Sequence, residues 1–223
     1  FLGERAGDAP WTTVSYRDAL KQVCSIAAWI LAQGLSAERP LAVLSDNSVD
    51  HALLALGAMH AGVPVAAISP AYSLMSRDFD KLKSMIALLE PGAIYVSGTK
   101  PFAAALAAIQ PLHRAKIISG SADGDAIPFR AVASTPETPD VAKAFATVTP
   151  DTIAKFLFTS GSSGVPKGVI TTHGMLAANQ RMARLAFAQA LDRPPLLVDW
   201  LPWNHTFGGS FNFNLTLFNG GTL

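Results

Sequence analysis

The chain has 223 residues, which is more than one average domain of about 150 residues and less than two. Half of the residues are apolar and only 15% are charged, so a disordered tail or a solvated adaptor is excluded. The formal net charge of +1 leaves no broad electric field that would attract nucleic acid or an anionic membrane. Any anion that the chain binds must therefore be held by a local arrangement of groups.

The single cysteine, Cys24, excludes an intramolecular disulfide. It lies on an apolar stripe at helical spacing, so we expect a buried core thiol rather than a nucleophile. No basic segment precedes an apolar one as in a signal peptide, and the uncharged stretch 51–69 is interrupted by Gly62 and Pro64. These features predict an intracellular, cytoplasmic protein without a membrane span.

The first half of the chain predicts alternating helices and strands. Ser15 and Asp18 form the pattern of a capping box, and the helix that follows runs to Gly34. The further predicted strands are 41–44, 63–68, 93–96 and 116–118, and the further predicted helices are 48–60, 76–89 and 102–109. This alternation is typical of a parallel sheet that helices cover on both faces, so the predicted fold class is α/β.

The second half is less regular. From Ser119 to Pro150 the periodicity lapses among four prolines and several small polar residues, and only a connecting excursion is predicted there. A strand pattern resumes at 152–158. A second short strand is predicted at 168–172, and a helix at 175–191.

The segment between these last two strands has the composition of a phosphate-binding loop. Its ten residues, from Thr159 to Gly168, include four hydroxyl side chains, three glycines and one lysine. Glycines let backbone N–H groups approach a phosphate, hydroxyls donate further hydrogen bonds, and Lys167 supplies a mobile positive charge. The pattern predicts a cradle for a polyphosphate.

Other motifs fail at single positions of this loop. A Walker loop needs Ser or Thr after its lysine, but Gly168 follows Lys167. A hydrolase elbow with Ser163 as nucleophile needs glycine where Val165 stands, and the Gly-x-Gly of a dinucleotide fingerprint is absent. A flexible Gly/Ser linker is the structural alternative, although linkers rarely lie between two apolar strands.

A second segment, from Asp199 to Gly209, places three aromatic side chains and one histidine around Pro202. An aromatic turn with one polar group suits a pocket for a planar acid. By itself the signal is weak, because a histidine among aromatics is more often a core side chain than a ligand. On the residues alone, both interpretations of His205 stay open.

From Phe156 to Lys167 the loop resembles, at all twelve positions, the signature of the adenylate-forming superfamily, which includes acyl-CoA synthetases, luciferases and nonribosomal adenylation domains. The resemblance implies a mostly parallel sheet flanked by helices, with residues 1–223 forming the first portion of the large N-terminal domain. It also implies that the loop holds the β- and γ-phosphates of ATP. The residues in this role are Thr159, Ser160, Gly161, Ser162, Ser163, Gly164 and Lys167.

The aromatic segment is similar to a second signature of the same superfamily. The resemblance places His205 beside the α-phosphate and the acyl carboxylate, and it makes Lys167 and His205 the catalytic residues. The implied acyl-pocket residues are Trp203, Asn204, Phe207 and Gly208. The segment 199–223 most resembles the feruloyl-CoA synthetase branch, with a departure at Ser210, where that branch has Asn. The segment 41–72 also resembles the superfamily, in scaffold roles.

The implied reaction is the ATP-dependent activation of an aryl acid, similar to a hydroxycinnamate, as an acyl-adenylate and then as a CoA thioester. The implied partners are the acid, CoA and ATP, with Mg²⁺ bound through ATP and no metal site in this chain. The alternatives are a fatty-acid or other aryl-acid CoA ligase, and a nucleotide-binding fragment without catalysis. The superfamily's later catalytic residues are absent, so we expect the chain alone to be inactive and to form homo-oligomers through uncovered apolar surface.

Overall fold

The computed structural model describes residues 1–121, 123–159 and 166–223. Its strands are β1 (Leu2–Glu4), β2 (Thr12–Val14), β3 (Leu41–Val43), β4 (Val65–Ala67), β5 (Ala93–Val96), β6 (Lys116–Ser119), β7 (Ile127–Pro128), β8 (Ile153–Thr159) and β9 (Lys167–Thr172). Its α-helices are α1 (Tyr16–Ala32), α2 (Val49–His60), α3 (Ala71–Leu74), α4 (Asp80–Leu89), α5 (Thr99–Ile109), α6 (Phe129–Ala133), α7 (Pro139–Ala146), α8 (His173–Ala186) and α9 (Phe213–Phe218). Short 3-10 helices span Gln110–Leu112 and Ala188–Leu191, and a π-helix spans Phe207–Asn212.

Seven of the strands form one sheet in the order β7-β6-β5-β3-β4-β8-β9. All neighbouring strands in it are parallel except β8 and β9, which are antiparallel. Strands β1 and β2 form a separate antiparallel pair. The prediction of an α/β fold with a mostly parallel sheet is confirmed.

Helix α1 begins where its cap is predicted. The Ser15 hydroxyl accepts a hydrogen bond from the Asp18 N–H at 3.1 Å, and the helix ends before Gly34, whose φ is +66°. Its buried face packs on α2, where a Cβ added to Gly57 would overlap the Ile26 side chain. The two helices therefore approach closely on one face of the sheet.

Alternate side chains of the central strand β3, and that of Leu44 directly after it, enter two separate cores. Leu41 and Val43 pack under α1 and α2, whereas Ala42 and Leu44 pack with residues of α4 and α5 such as Leu82. Because helices cover both faces, the strands need few charged residues. This arrangement accounts for the low charge of the chain.

The segment predicted only as a connecting excursion has structure of its own. Strand β7 pairs with β6 at one edge of the sheet, and Val132 of α6 lies in the core beside α1. Helices α6 and α7 have five and eight residues, which is too short to establish a helical period in sequence. The boundaries of the elements that were predicted differ by a few residues, most at the starts of α4 and α5 and at the end of α8. Also not among the predicted elements are β1, β2, α3, the π-helix and α9.

Cys24 is half-buried beside the core, so it is less enclosed than we expected. Burial and the neighbouring Glu137 raise the pKa of its thiol, which disfavours the nucleophilic thiolate.

In the described ranges, no helix combines the length and the apolar character needed to cross a membrane.

Candidate functional site

The predicted phosphate loop connects two strands, β8 and β9, that pair antiparallel. Thr159 is the last residue of β8, Lys167 is the first of β9, and the two are register partners with exposed side chains. The segment between them therefore starts and ends at one point of the sheet. Five predicted phosphate ligands lie outside the described residues, namely Ser160, Gly161, Ser162, Ser163 and Gly164.

The aromatic segment meets the same edge of the sheet. Strands β3, β4 and β8 are parallel neighbours, so Thr159 and the residues that follow β3 lie at their carboxyl ends. Asn47, which comes after β3, donates from Nδ2 to the Leu201 carbonyl at 2.8 Å and accepts from the Trp203 N–H at 2.9 Å. Ligands of open α/β sheets bind at this edge.

Trp203 anchors the aromatic segment in the core. Its side chain is buried, and its ring packs edge-on against His51 and Phe213, with centroids 5.1 and 5.0 Å away. It also borders a cavity of about 560 Å³, which Asn47 and Val198 line as well. Cavities of this size accommodate small organic ligands.

His205 is exposed, so the alternative that it is a core side chain is wrong. Its backbone is nevertheless held, because its N–H donates to the Pro202 carbonyl at 3.1 Å and its carbonyl accepts from the Gly209 N–H at 2.9 Å. An imidazole on a fixed backbone in contact with solvent is available to a ligand.

Two other predicted pocket residues face different surroundings. Phe207 is 60% exposed and stacks on Phe211 with centroids 5.4 Å apart and an interplanar angle of 11°, whereas Asn204 is half-buried. The two stacked phenyl rings form a flat aromatic surface, and Phe207 is two residues after His205 in the sequence. Such a surface suits contact with a planar apolar group.

Gly208, also predicted to line the pocket, allows the π-helix to lie against the preceding turn. A Cβ at Gly208 would be 2.6 Å from the Leu201 carbonyl oxygen and 2.8 Å from that of Pro202. A Cβ at Gly209 would overlap the Trp203 carbonyl oxygen. Because those atoms are backbone, a side chain at either glycine would displace the segment.

Lys155 is a polar residue of this region that neither sequence motif includes. It lies in β8, is 6% exposed, and donates from Nζ to the Gly209 carbonyl at 2.5 Å. Burial lowers its pKa to about 8. The signal that could have revealed it is a lysine within the otherwise apolar run Ile153–Phe158.

Strand β8 therefore contacts one predicted signature and leads into the other. Lys155 contacts the aromatic segment, and Thr159, four residues further along β8, begins the phosphate loop. Four residues of strand span about 13 Å. This geometry ties the aromatic segment to the strand that leads into the predicted phosphate loop.

A family model described as "AMP-binding enzyme" matches residues 3–223. The L-proline–[L-prolyl-carrier protein] ligase of Streptomyces coelicolor is 29% identical over 220 residues, which cover 92% of this chain and 37% of that protein. A 3-[(3aS,4S,7aS)-7a-methyl-1,5-dioxo-octahydro-1H-inden-4-yl]propanoyl:CoA ligase of Rhodococcus jostii is 25% identical, covering 97% of this chain and 43% of that protein.

Among solved structures, ATP-bound MatB from Rhodopseudomonas palustris superimposes with a TM-score of 0.75 and 25% identity, over 95% of this chain and 39% of MatB. A fatty acyl-adenylate ligase from L. pneumophila, in complex with acyl adenylate and pyrophosphate, shares the fold with a TM-score of 0.74. The chain thus spans less than half of the length of these similar proteins.

Proposed function

Since the chain belongs to the AMP-binding enzyme family, we propose that it binds ATP and activates a carboxylic acid as part of an acid–thiol ligase. We further propose that residues 1–223 form the first portion of the large N-terminal domain of that ligase. The fraction of MatB that the chain spans, 39%, is in keeping with this assignment.

The observation that supports the proposal best is the connection through β8. This strand ends at Thr159, opposite Lys167, and its Lys155 is hydrogen-bonded to the segment that carries His205. A site for acid activation needs a phosphate-binding group and an acid-binding group within one region. The contact through β8 supports a site of this kind at the carboxyl edge of the sheet.

The proposed chemistry overcomes the low reactivity of a carboxylate. A carboxylate oxygen forms a bond to the α-phosphorus of ATP, and the bond from that phosphorus to pyrophosphate breaks. Lys167, Thr159 and the loop residues Ser160, Gly161, Ser162, Ser163 and Gly164 bind the β- and γ-phosphates. Their N–H, hydroxyl and ammonium groups stabilise the charge of the departing pyrophosphate, while His205 lies beside the α-phosphate and the acid.

The donor set fits a nucleotide's phosphates rather than a free metal ion. Thr159 and Lys167 expose a hydroxyl and an ammonium side by side. Within the described ranges, no group of three or more His, Cys, Asp or Glu side chains is placed to hold a metal. We propose that Mg²⁺ reaches the site bound to ATP.

For the acid, we propose an aryl acid similar to a hydroxycinnamate, and for the acceptor thiol, CoA. The exposed Phe207–Phe211 pair supports a planar acid, and Trp203, Asn204 and Gly208 belong to the same segment. A fatty acid is the alternative acid, and a carrier protein is the alternative acceptor, since similar proteins include a carrier-protein ligase. A cytoplasmic location is part of the proposal.

The test is acid-dependent exchange of labelled pyrophosphate into ATP by the protein that carries this chain. We expect exchange with a hydroxycinnamate and a loss of about 10²- to 10³-fold in Lys167→Ala, because the variant lacks a group that stabilises developing charge. Lys116→Ala, an exposed lysine on β6, is the matched control and should keep the original rate. Exchange that is the same in Lys167→Ala and the unmodified protein would exclude Lys167 from the reaction.

Comparison of a fatty acid with the hydroxycinnamate in the same assay decides between the two acids. If neither acid, nor any other carboxylic acid, supports exchange, the remaining alternative is a nucleotide-binding protein without catalysis. An equilibrium binding measurement with ATP would then test that alternative. Binding would support it, and absence of binding would exclude it.

A further inference from the structure

We propose that Lys155 is a positioning residue, which fixes the π-helix Phe207–Asn212, and with it His205 and Phe207, against the strand that leads to the phosphate loop. The contacts of Lys155 support its role in holding the π-helix. The effect of this role on catalysis rests on the proposed function.

Lys155 is buried on the face of the sheet that α2 and the π-helix cover. It is the register partner of Val65 in β4, and it lines a cavity of about 20 Å³ together with Val65, His51 and Trp203. Its hydrogen-bond partner is the Gly209 carbonyl, and no carboxylate among the described residues forms an ion pair with it. The ammonium group is therefore enclosed by largely apolar surroundings.

This environment is costly for a cation. An ammonium group that is removed from water loses its hydration, and one carbonyl replaces that hydration only in part. An apolar side chain of similar length would therefore stabilise the folded chain more than the lysine does. Stability alone thus gives no reason for a lysine at this point of β8. The contact with Gly209 is the specific feature that an apolar side chain would lack.

The π-helix depends on side chains from other elements to satisfy its backbone. The carbonyls of residues 209, 210 and 211 accept hydrogen bonds from side chains of β8, α9 and α8, respectively. The donors are Lys155 Nζ at 2.5 Å, Asn214 Nδ2 at 2.9 Å and Gln180 Nε2 at 3.2 Å. Of these three bonds, the one from Lys155 connects the π-helix to the sheet.

Gly209 transmits this contact to the predicted site. Its carbonyl accepts from Lys155, and its N–H donates to the carbonyl of His205 at 2.9 Å. Two consecutive hydrogen bonds therefore run from β8 to the backbone of His205. Loss of the first bond leaves the Gly209 carbonyl without this partner and allows the His205 turn to move relative to Thr159.

The structural test is amide hydrogen exchange of the protein that carries this chain, comparing Lys155→Met with the unmodified protein. Met keeps an unbranched side chain as far as Cε and removes the ammonium. We expect exchange across 205–212 to rise about tenfold, as for loss of one charged hydrogen bond, with α1 and β5 unchanged. Lys116→Met, the same substitution at an exposed site of the sheet, should change neither region.

Unchanged exchange across 205–212 in Lys155→Met would overturn the proposal. Should that variant fail to fold, Lys155→Gln gives the same test, because its amide is one bond closer to the backbone than Nζ and falls short of the Gly209 carbonyl. The same rise across 205–212 is expected for Lys155→Gln, and protection equal to that of the unmodified protein would overturn the proposal.

The catalytic test is the pyrophosphate exchange assay with Lys155→Met. A misplaced His205 turn should raise the KM for the acid or lower the exchange rate about tenfold to hundredfold, while the KM for ATP stays the same. An equal rise in both KM values would indicate general damage and contradict a positioning role. Absence of exchange in the unmodified protein would contradict the proposed function, and hydrogen exchange would still decide the placement of the π-helix.

Discussion

Two lysines on the β8–β9 hairpin have opposite surroundings. Lys167 is exposed at the start of β9, where its flexible side chain can follow a phosphate. Lys155 is buried in β8, and desolvation lowers its pKa to about 8. The exposed lysine can act through its charge, whereas the buried lysine acts through its hydrogen bond to the Gly209 carbonyl.

The buried lysine predicts a pH dependence of stability. Its pKa is about 8 in the folded chain and 10.5 for a lysine surrounded by water, as in the unfolded chain, so the folded chain binds fewer protons between these values. The stability contributed by Lys155 is therefore fully present above pH 10.5 and is lost as the pH falls through about 8. The neighbouring His51, whose pKa burial lowers to about 4, is already neutral in this range.

We expect the free energy of unfolding of the unmodified chain, relative to Lys155→Met, to rise by about 2 kcal/mol between pH 7.5 and pH 9.5. Urea denaturation of both proteins at the two pH values measures this difference. Lys116→Met should show no such change relative to the unmodified chain. A difference that stays constant would mean that Lys155 keeps the pKa of an exposed lysine, and one that falls with pH would mean that folding raises this pKa.

At the scale of elements, the π-helix is the component that fixes the aromatic segment. Its glycines lie against the backbone of 201–203, and Asn47 is hydrogen-bonded to the same turn. π-helical turns are rare and are found frequently at functional sites. The close backbone contact explains why two adjacent glycines follow Phe207.

Substitution of Gly209 tests this contact. In Gly209→Ala the new methyl group would overlap the Trp203 carbonyl, so we expect a loss of about 1–3 kcal/mol of unfolding free energy. Gly168→Ala is the matched control, because the nearest atom to its Cβ would be Phe158 Cε1 at 3.8 Å. Denaturation curves that coincide for the two variants would show that the π-helix shifts away without cost.

At the scale of the whole molecule, many large apolar side chains are exposed, three of them within the segment 196–200. The side chains of Val198 and Trp200 are 87% and 83% exposed, and Leu196 and Leu185 are also exposed. Strand β9 forms one edge of the sheet, with Val169 and Ile170 on its accessible surface. Surfaces of this kind commonly mark contacts with other protein segments.

We expect the 223-residue chain, expressed by itself, to self-associate through the segment 196–200. Sedimentation velocity over a range of concentrations should reveal dimers or larger species, and Val198→Lys should shift the chain toward the monomer. Leu88→Lys, on an exposed position of α4, is the control and should leave the association unchanged. A monomer at all concentrations would show that this apolar surface does not bind a second copy.

The sequence predicts much of the architecture because its signals are local. The capping box at Ser15, the alternation of strands and helices, and the apolar strands on either side of the phosphate loop all depend on neighbouring residues. The roles of the loop residues outside the described ranges stay predictions. The elements within 119–150 could not be predicted, because they are too short to show a helical or strand periodicity.

The sequence by itself determined the α/β class, the two apolar strands on either side of the phosphate loop, and the resemblance to two signatures of a ligase. Only the tertiary structure decided that Trp203 is an anchor in the core, that His205 is exposed, and that Lys155 bonds to Gly209. The physical reason is distance along the chain. Lys155 and Gly209 are 54 residues apart, so their contact depends on how β8 and the π-helix pack, which no local periodicity encodes.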